Sequence, residues 1–252
     1  MFRFFHKTRL KAFFEHQPVR YLTYAFGEVL LVVIGILIAL QVNNWNEQRK
    51  DAERELKILL SLKDDIQANE SELNATLQGI PFRLKQYTRH LSYVGLQPED
   101  YTKEITNDIY DTGYRSTEIV QGTLNSVLSS DQLELIQNDT LKKLLTSYPA
   151  SIEQFQKTET LVIDYVLDFQ RPLLRDKYLS LSNILPNDPE FQHFRNHAQK
   201  DDVAGLLNDR SYQNILAGLY MVTKSQLENQ GKILHQKTLA ILHLLQSEID
   251  QH

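Results

Sequence analysis

One stretch limits what the rest of this chain can become: YAFGEVLLVVIGILIALQVNNWNE, from Tyr24 to Glu47. Between Ala25 and Val42 its only charged side chain is Glu28 and its only amide is Gln41. An α-helix over that run spans about 27 Å at its usual rise, close to the roughly 30 Å hydrocarbon core of a bilayer. Tyr21 and Tyr24 stand at one end and Trp45 at the other, where amphipathic rings favour headgroup depth. The core helix of a soluble protein would share the apolarity but has no need of a basic flank or aromatic ends. Residues 21–45 therefore read as a transmembrane helix.

A cleaved signal peptide has the same order of basic, apolar and polar segments. Here the basic region is long, and no Ala-x-Ala-like pair follows the apolar core, because Ala39 has Leu37 two residues before it. The expectation is an uncleaved signal anchor. Arg3, Lys7, Arg9, Lys11 and Arg20 outweigh Glu15 before the span, whereas Glu47, Arg49, Lys50 and Asp51 balance after it. The positive-inside rule then puts the N-terminus in the cytoplasm and residues 46–252 in the periplasm, across a bacterial inner membrane. Residues 1–20, with phenylalanines interleaved among bases, read as a cytoplasmic segment on the inner leaflet, ended by Gln17-Pro18.

Two roles are open to Glu28. A carboxylate one turn inside Tyr24 can snorkel to the cytoplasmic headgroups and pair with Arg20 or a nearby lysine. It can also face a second membrane helix, since Gly27, Gly35 and Ala39 fall on one stripe and permit close approach. The expected partners are thus the lipid bilayer and either another protein or further copies of the chain.

Tyr24-Ala25-x-Gly27-Glu28, VVIGILIALQ from Val32 to Gln41, and Asn43-Asn44-Trp45-Asn46-Glu47 resemble the N-terminal signature of an uncharacterised family of single-pass membrane proteins from Bacteroidota, defined by a domain of unknown function. A second patch, TLNSVLSSDQLELIQNDTLKKLLTSY from Thr123 to Tyr148, is similar to a segment of that family. Asp131 stands there in place of a usual glycine, and Pro149 in place of a frequent second tyrosine, so the local turn is expected to differ. The resemblance implies an inner-membrane anchor with a helical exported domain and brings no activity with it.

Nine glycines and seven prolines in 252 residues are about half the usual share, which favours long helices. After Trp45 the pattern predicts a helix up to Gly79-Ile80-Pro81, with Leu56, Leu59, Ile66, Leu73, Leu77 and Ile80 on a coiled-coil-like seam that also carries Lys63 and Glu70. Shorter helices are expected over 83–94, 99–110 and 117–128. Asp139 should cap a long helix with Leu141, Leu145, Tyr148, Ile152, Phe155, Val162, Val166 and Phe169 on one face, kinked at Pro149 and broken at Pro172. A loop over Asn183–Pro189 and a last helix over 209–249, with a seam from Tyr212 to Ile249, complete the chain. The predicted fold is all-α: one transmembrane helix continuing into an elongated, mostly antiparallel bundle.

No cysteine is present, which excludes disulfides, thiolate nucleophiles and thiolate metal sites. His193-x-x-x-His197 has metal-pair spacing but lacks the glutamate of HExxH, and Asp164 with Asp168 reads as a solvated face. Neither GxSxG nor SxxK occurs, and Ser129-Ser130-Asp131 reads as a capping element. Asn69, Asn74 and Asn138 begin N-x-S/T triplets, a common pattern. Basic residues concentrate in the tip of a chain whose net charge is −5, so the acidic remainder is unsuited to nucleic acid. No catalytic, cofactor or metal residue is expected, and no enzyme. The expected function is a periplasmic interaction or scaffolding domain. The alternative is a ligand-binding sensor working through a partner, and a minor alternative is an ion-coupled membrane complex using Glu28.

Overall fold

The computed structural model describes residues 18–178, 180 and 188–252. Among them there is no strand, and the fold is all-α. The chain divides into two units, Met1–Lys57 and Ile58–His252.

Helix α1 runs from Pro18 to Ser92. In the first unit it carries the apolar run, with Leu22, Leu31 and Leu37 all largely exposed. In the second unit it turns a seam inward: Leu59, Leu62, Ile66, Asn69, Leu73, Thr76 and Ile80 are buried at alternating three- and four-residue steps. Leu59, Ile66, Leu73 and Ile80 are buried as expected, but the alternate seam positions shift by one residue, with Leu62 and Asn69 buried in place of Lys63 and Glu70.

The expected stop at Gly79-Ile80-Pro81 does not occur; Pro81 lies inside α1. An interior proline costs about 3 kcal/mol and removes one backbone bond. Burial of Ile80 before it and of Tyr87 and His90 after it offsets that cost. The helix ends at a turn where Gly95 takes φ +87°, a left-handed conformation open to glycine without penalty.

Helix α2, Lys103–Ile109, is capped by the Thr102 side chain. Residues 111–121 then have no regular secondary structure, so the helix expected from Thr117 shrinks to α3, Gly122–Leu128. The physical reason is local: the Thr117 N–H and hydroxyl donate to the Glu159 carboxylate, at 3.0 and 2.5 Å, in place of helical bonds. After the short turn α4, Gln132–Leu135, helix α5 spans Asp139–Asp164. Its cap is Asn138, not Asp139, and Pro149 is contained within it.

Helix α5 passes directly into a π-turn, Tyr165–Gln170, then Arg171–Leu173 and a second π-turn, Leu174–Tyr178. Pro172 therefore does not break the helix. The Arg171 N–H already reaches back to the Val166 carbonyl, a wide five-residue step that loosens the ladder where proline would clash. The same step shifts the buried face, so Gln170 is buried and Phe169, expected in the core, is 55% exposed.

Most of the loop expected over Asn183–Pro189 lies outside the described residues. Beyond it, α6 spans Gln192–His197 and α7 spans Val203–Asn208. Helix α8, Arg210–Val222, is capped by Asp209; it continues through a π-turn, Thr223–Leu227, into α9, Glu228–Ile249. Tyr148 meets Thr238 at 2.8 Å and Asn138 meets Glu248 at 2.8 Å, so α9 runs antiparallel to α5. His235 meets Glu70 at 3.0 Å, and a Cβ on Gly231 would lie 2.9 Å from Leu77, so α9 also runs antiparallel to α1. These three long elements form the bundle of the second unit.

Candidate functional site

The residues singled out for the membrane lie along the first part of α1. Tyr24 and Trp45 are exposed, and Gly27 and Gly35 have open space where a Cβ would stand. Ala39 is exposed and Glu28 half-buried. Arg20 and Tyr21 lie on the helix backbone, but their side chains, like all of Arg3, Lys7, Arg9 and Lys11, lie outside the described residues. One helix among the described residues is long and apolar enough to cross a membrane, and none of its most apolar window is buried.

A second set of residues emerges inside the bundle. Asn69, Thr76, Arg83 and His90 recur every seventh residue of α1, one rung per two turns of the same seam. Each meets the segment between α2 and α3, or the end of α2. Asn69 exchanges two hydrogen bonds with the Val120 backbone, at 2.8 and 2.7 Å. The Thr76 hydroxyl is 2.9 Å from that of Thr117. Arg83 Nη1 lies 3.9 Å from Asp111 Oδ1, and His90 Nε2 lies 3.2 Å from Asp108 Oδ2. This irregular segment is thereby held as a strap on a polar ladder. None of these four residues was expected on the seam; their seven-residue recurrence was the available signal.

Between α1, the strap and the two π-turn helices is a cavity of about 200 Å³. Ile80, Val162 and Leu227 give it apolar walls, while Phe82 and Tyr114, both exposed, stand at its lip. Its polar lining includes Arg83, Tyr87, Arg115, Glu159 and Thr223. Arg115 is paired with Glu72 at 2.7 Å, and the Glu159 carboxylate is held by Thr117. Arg83 Nη1 donates to the neutral Gln86 carbonyl oxygen at 2.6 Å. Asp111, its nearest acid, is instead bonded by the Gln86 amide at 2.8 Å and the Gly113 N–H at 3.1 Å. Thr223 is 1% exposed, and its hydroxyl has no aligned hydrogen-bond partner, although the Tyr87 phenol is close enough to feel it. Burial pushes the Tyr87 phenol up, against the pull of Arg83.

At the far end of the ladder, Arg89 pairs with Asp108 through two nitrogens and Tyr93 donates to it at 3.2 Å. Burial would raise the Asp108 carboxyl, but the Arg89 hydrogen bond and the neighbouring charges bring it below its ordinary value. The His90 ring, 1% exposed, has no aligned hydrogen bond. Burial holds its pKa below the ordinary histidine value, against the attraction of Asp108.

Other sequence candidates fall elsewhere. His193 and His197 are exposed on α6, where His197 Nδ1 contacts the His193 carbonyl at 2.7 Å. Among the described residues no group of three or more His, Cys, Asp or Glu is placed to hold a metal ion. Asp164 and Asp168 are exposed. Asn69 is fully buried by the strap, and Asn138 is engaged as a helix cap, so neither presents a free amide for glycosylation.

Residues 28–89 match a family of unknown function, DUF6090. The DUF6090 match covers most of the apolar run and the polar rungs from Asn69 to Arg83, and it stops before the strap and the π-turn helices that complete the cavity. No curated protein matches the chain, and no solved structure does.

Proposed function

We propose that this chain is a single-pass protein of the bacterial inner membrane, with a cytoplasmic N-terminus and a periplasmic helical domain that engages other proteins. One observation carries the reading: α1 leaves its whole apolar window unburied while the bundle of the second unit buries its own seam. Water would not tolerate that surface, and a bilayer solvates it. The aromatic ends and the basic flank of the span support the depth and the orientation, and the resemblance to a Bacteroidota single-pass family agrees with both. The role is scaffolding and not catalysis, with nucleic acid excluded by the acidity of the exported part. Alkaline carbonate extraction of native membranes tests the anchor: the chain stays with the pellet, and its release into the supernatant would overturn the reading. Crosslinking in the same membranes should then recover a protein partner or a second copy.

The cavity favours a second reading, in which the bundle senses a small ligand. Such a sensor would signal through its partner. The minor alternative, an ion-coupled membrane complex, would use Glu28.

A further inference from the structure

The geometry points to a small-molecule site in the bundle cavity that takes a monocarboxylate with an apolar body about the size of one aromatic ring. The inference deepens the ligand-sensing reading and rests on it. Size sets the first limit. The cavity measures about 200 Å³, and an apolar cavity of about 150 Å³ is large enough for benzene.

Charge sets the second limit. Two guanidiniums and one carboxylate line the space, and only Arg83 lacks a hydrogen-bonded acid, because Arg115 holds Glu72 and Glu159 holds Thr117. Asp111, 3.9 Å from Arg83, has its oxygens engaged by Gln86 and Gly113. The guanidinium packs against the backbone at Gly113, where a Cβ would lie 3.3 Å from Nη2. A planar cation without a hydrogen-bonded acid is matched to a carboxylate.

Thr223 supplies an independent observation. Its hydroxyl is buried without an aligned partner beside the Tyr87 phenol, and such groups are uncommon unless something completes them. Thr223 and Leu227 are also the first and last residues of a π-turn, a local distortion frequent at functional sites. Ile80, Val162 and Leu227 receive the apolar body, and Phe82 and Tyr114 flank its entry. Ligand pockets commonly combine such walls with a few convergent polar groups.

The test uses the full chain in lipid nanodiscs, with fluorine NMR of 4-fluorobenzoate, 4-fluorophenylacetate and the neutral 4-fluorobenzamide. At least one acid should bind saturably, roughly tenfold tighter than the amide, as expected for a charge-assisted contact. Arg83→Gln should abolish that preference, and Thr223→Val should weaken binding a few-fold. Should Arg83→Gln fail to fold, Phe82→Ala at the exposed lip should weaken binding without changing the melting temperature. Equal binding of acid and amide, or acid binding unaffected by Arg83→Gln, would overturn the carboxylate assignment and leave ligand sensing standing. Absence of binding by all three probes up to about 10 mM would overturn both.

Discussion

Replacing Asn69 with leucine sets two views of α1 against each other. Judged by the seam alone, Asn69→Leu improves the helix, since an apolar residue at a buried seam position usually strengthens packing. The strap predicts the opposite. Asn69 satisfies both the N–H and the carbonyl of Val120, at 2.7 and 2.8 Å, and leucine can replace neither bond. Orphaning a buried backbone group costs about 1–3 kcal/mol. The Val120 side chain is 45% exposed, so water reaches part of this site and the lower end applies. Two groups then cost about 2 kcal/mol, reduced by the apolar gain of leucine to a net loss of about 1 kcal/mol. For a domain of this size the melting temperature should fall by about 2–4 °C. Circular dichroism melting of the full chain in detergent measures that shift, and hydrogen exchange at the Val120 amide shows whether the strap has loosened. An unchanged or higher melting temperature, with the Val120 amide still protected, would refute the ladder.

Three further outcomes follow from the same packing. In Gly218→Ala the new Cβ would lie 2.7 Å from the Tyr165 ring, whereas Gly79→Ala meets nothing within 4 Å. The first variant should therefore be less stable than the second by about 1–3 kcal/mol in thermal melts, both gaining equally in helix propensity. The depressed pKa of His90 means that the folded state favours the neutral ring. Its contribution is present above the unfolded value of about 6.5 and is lost as pH falls from there through the lower folded value. Asp108, Asp111, Arg89 and Tyr93 surround the ring electrically, and His90→Gln should flatten the stability profile below about pH 7. Thr117→Val should cost less than Glu159→Gln if the carboxylate, and not the Thr76 contact, is the main anchor of the strap; chemical unfolding of both variants decides the order.

The legible parts of this chain were those that repeat with one period. The apolar run stands out because one charge and one amide are all that interrupt it for nearly the length of a bilayer, and Leu59, Ile66, Leu73 and Ile80 mark the inner face of α1 at seven-residue steps. The register slip to Lys63 and Glu70 arose because Asn69 is polar yet buried, and its partner comes from Val120, far along the sequence. The strap was illegible for the same reason: Thr117 has an ordinary local sequence, and only the distant Glu159 draws it out of a helix. The π-turns leave no compositional mark, so the exchange of Phe169 for Gln170 on the buried face could not be anticipated. The cavity follows from all three of these features and was therefore not expected at all.

The absence of cysteine allows a direct test of the anchor and its direction. A single cysteine placed by Gln251→Cys, near the exposed C-terminal end, is treated with a membrane-impermeant maleimide in intact spheroplasts. The account predicts full labelling from outside the cell. Labelling that appears only after the membrane is permeabilised would contradict it.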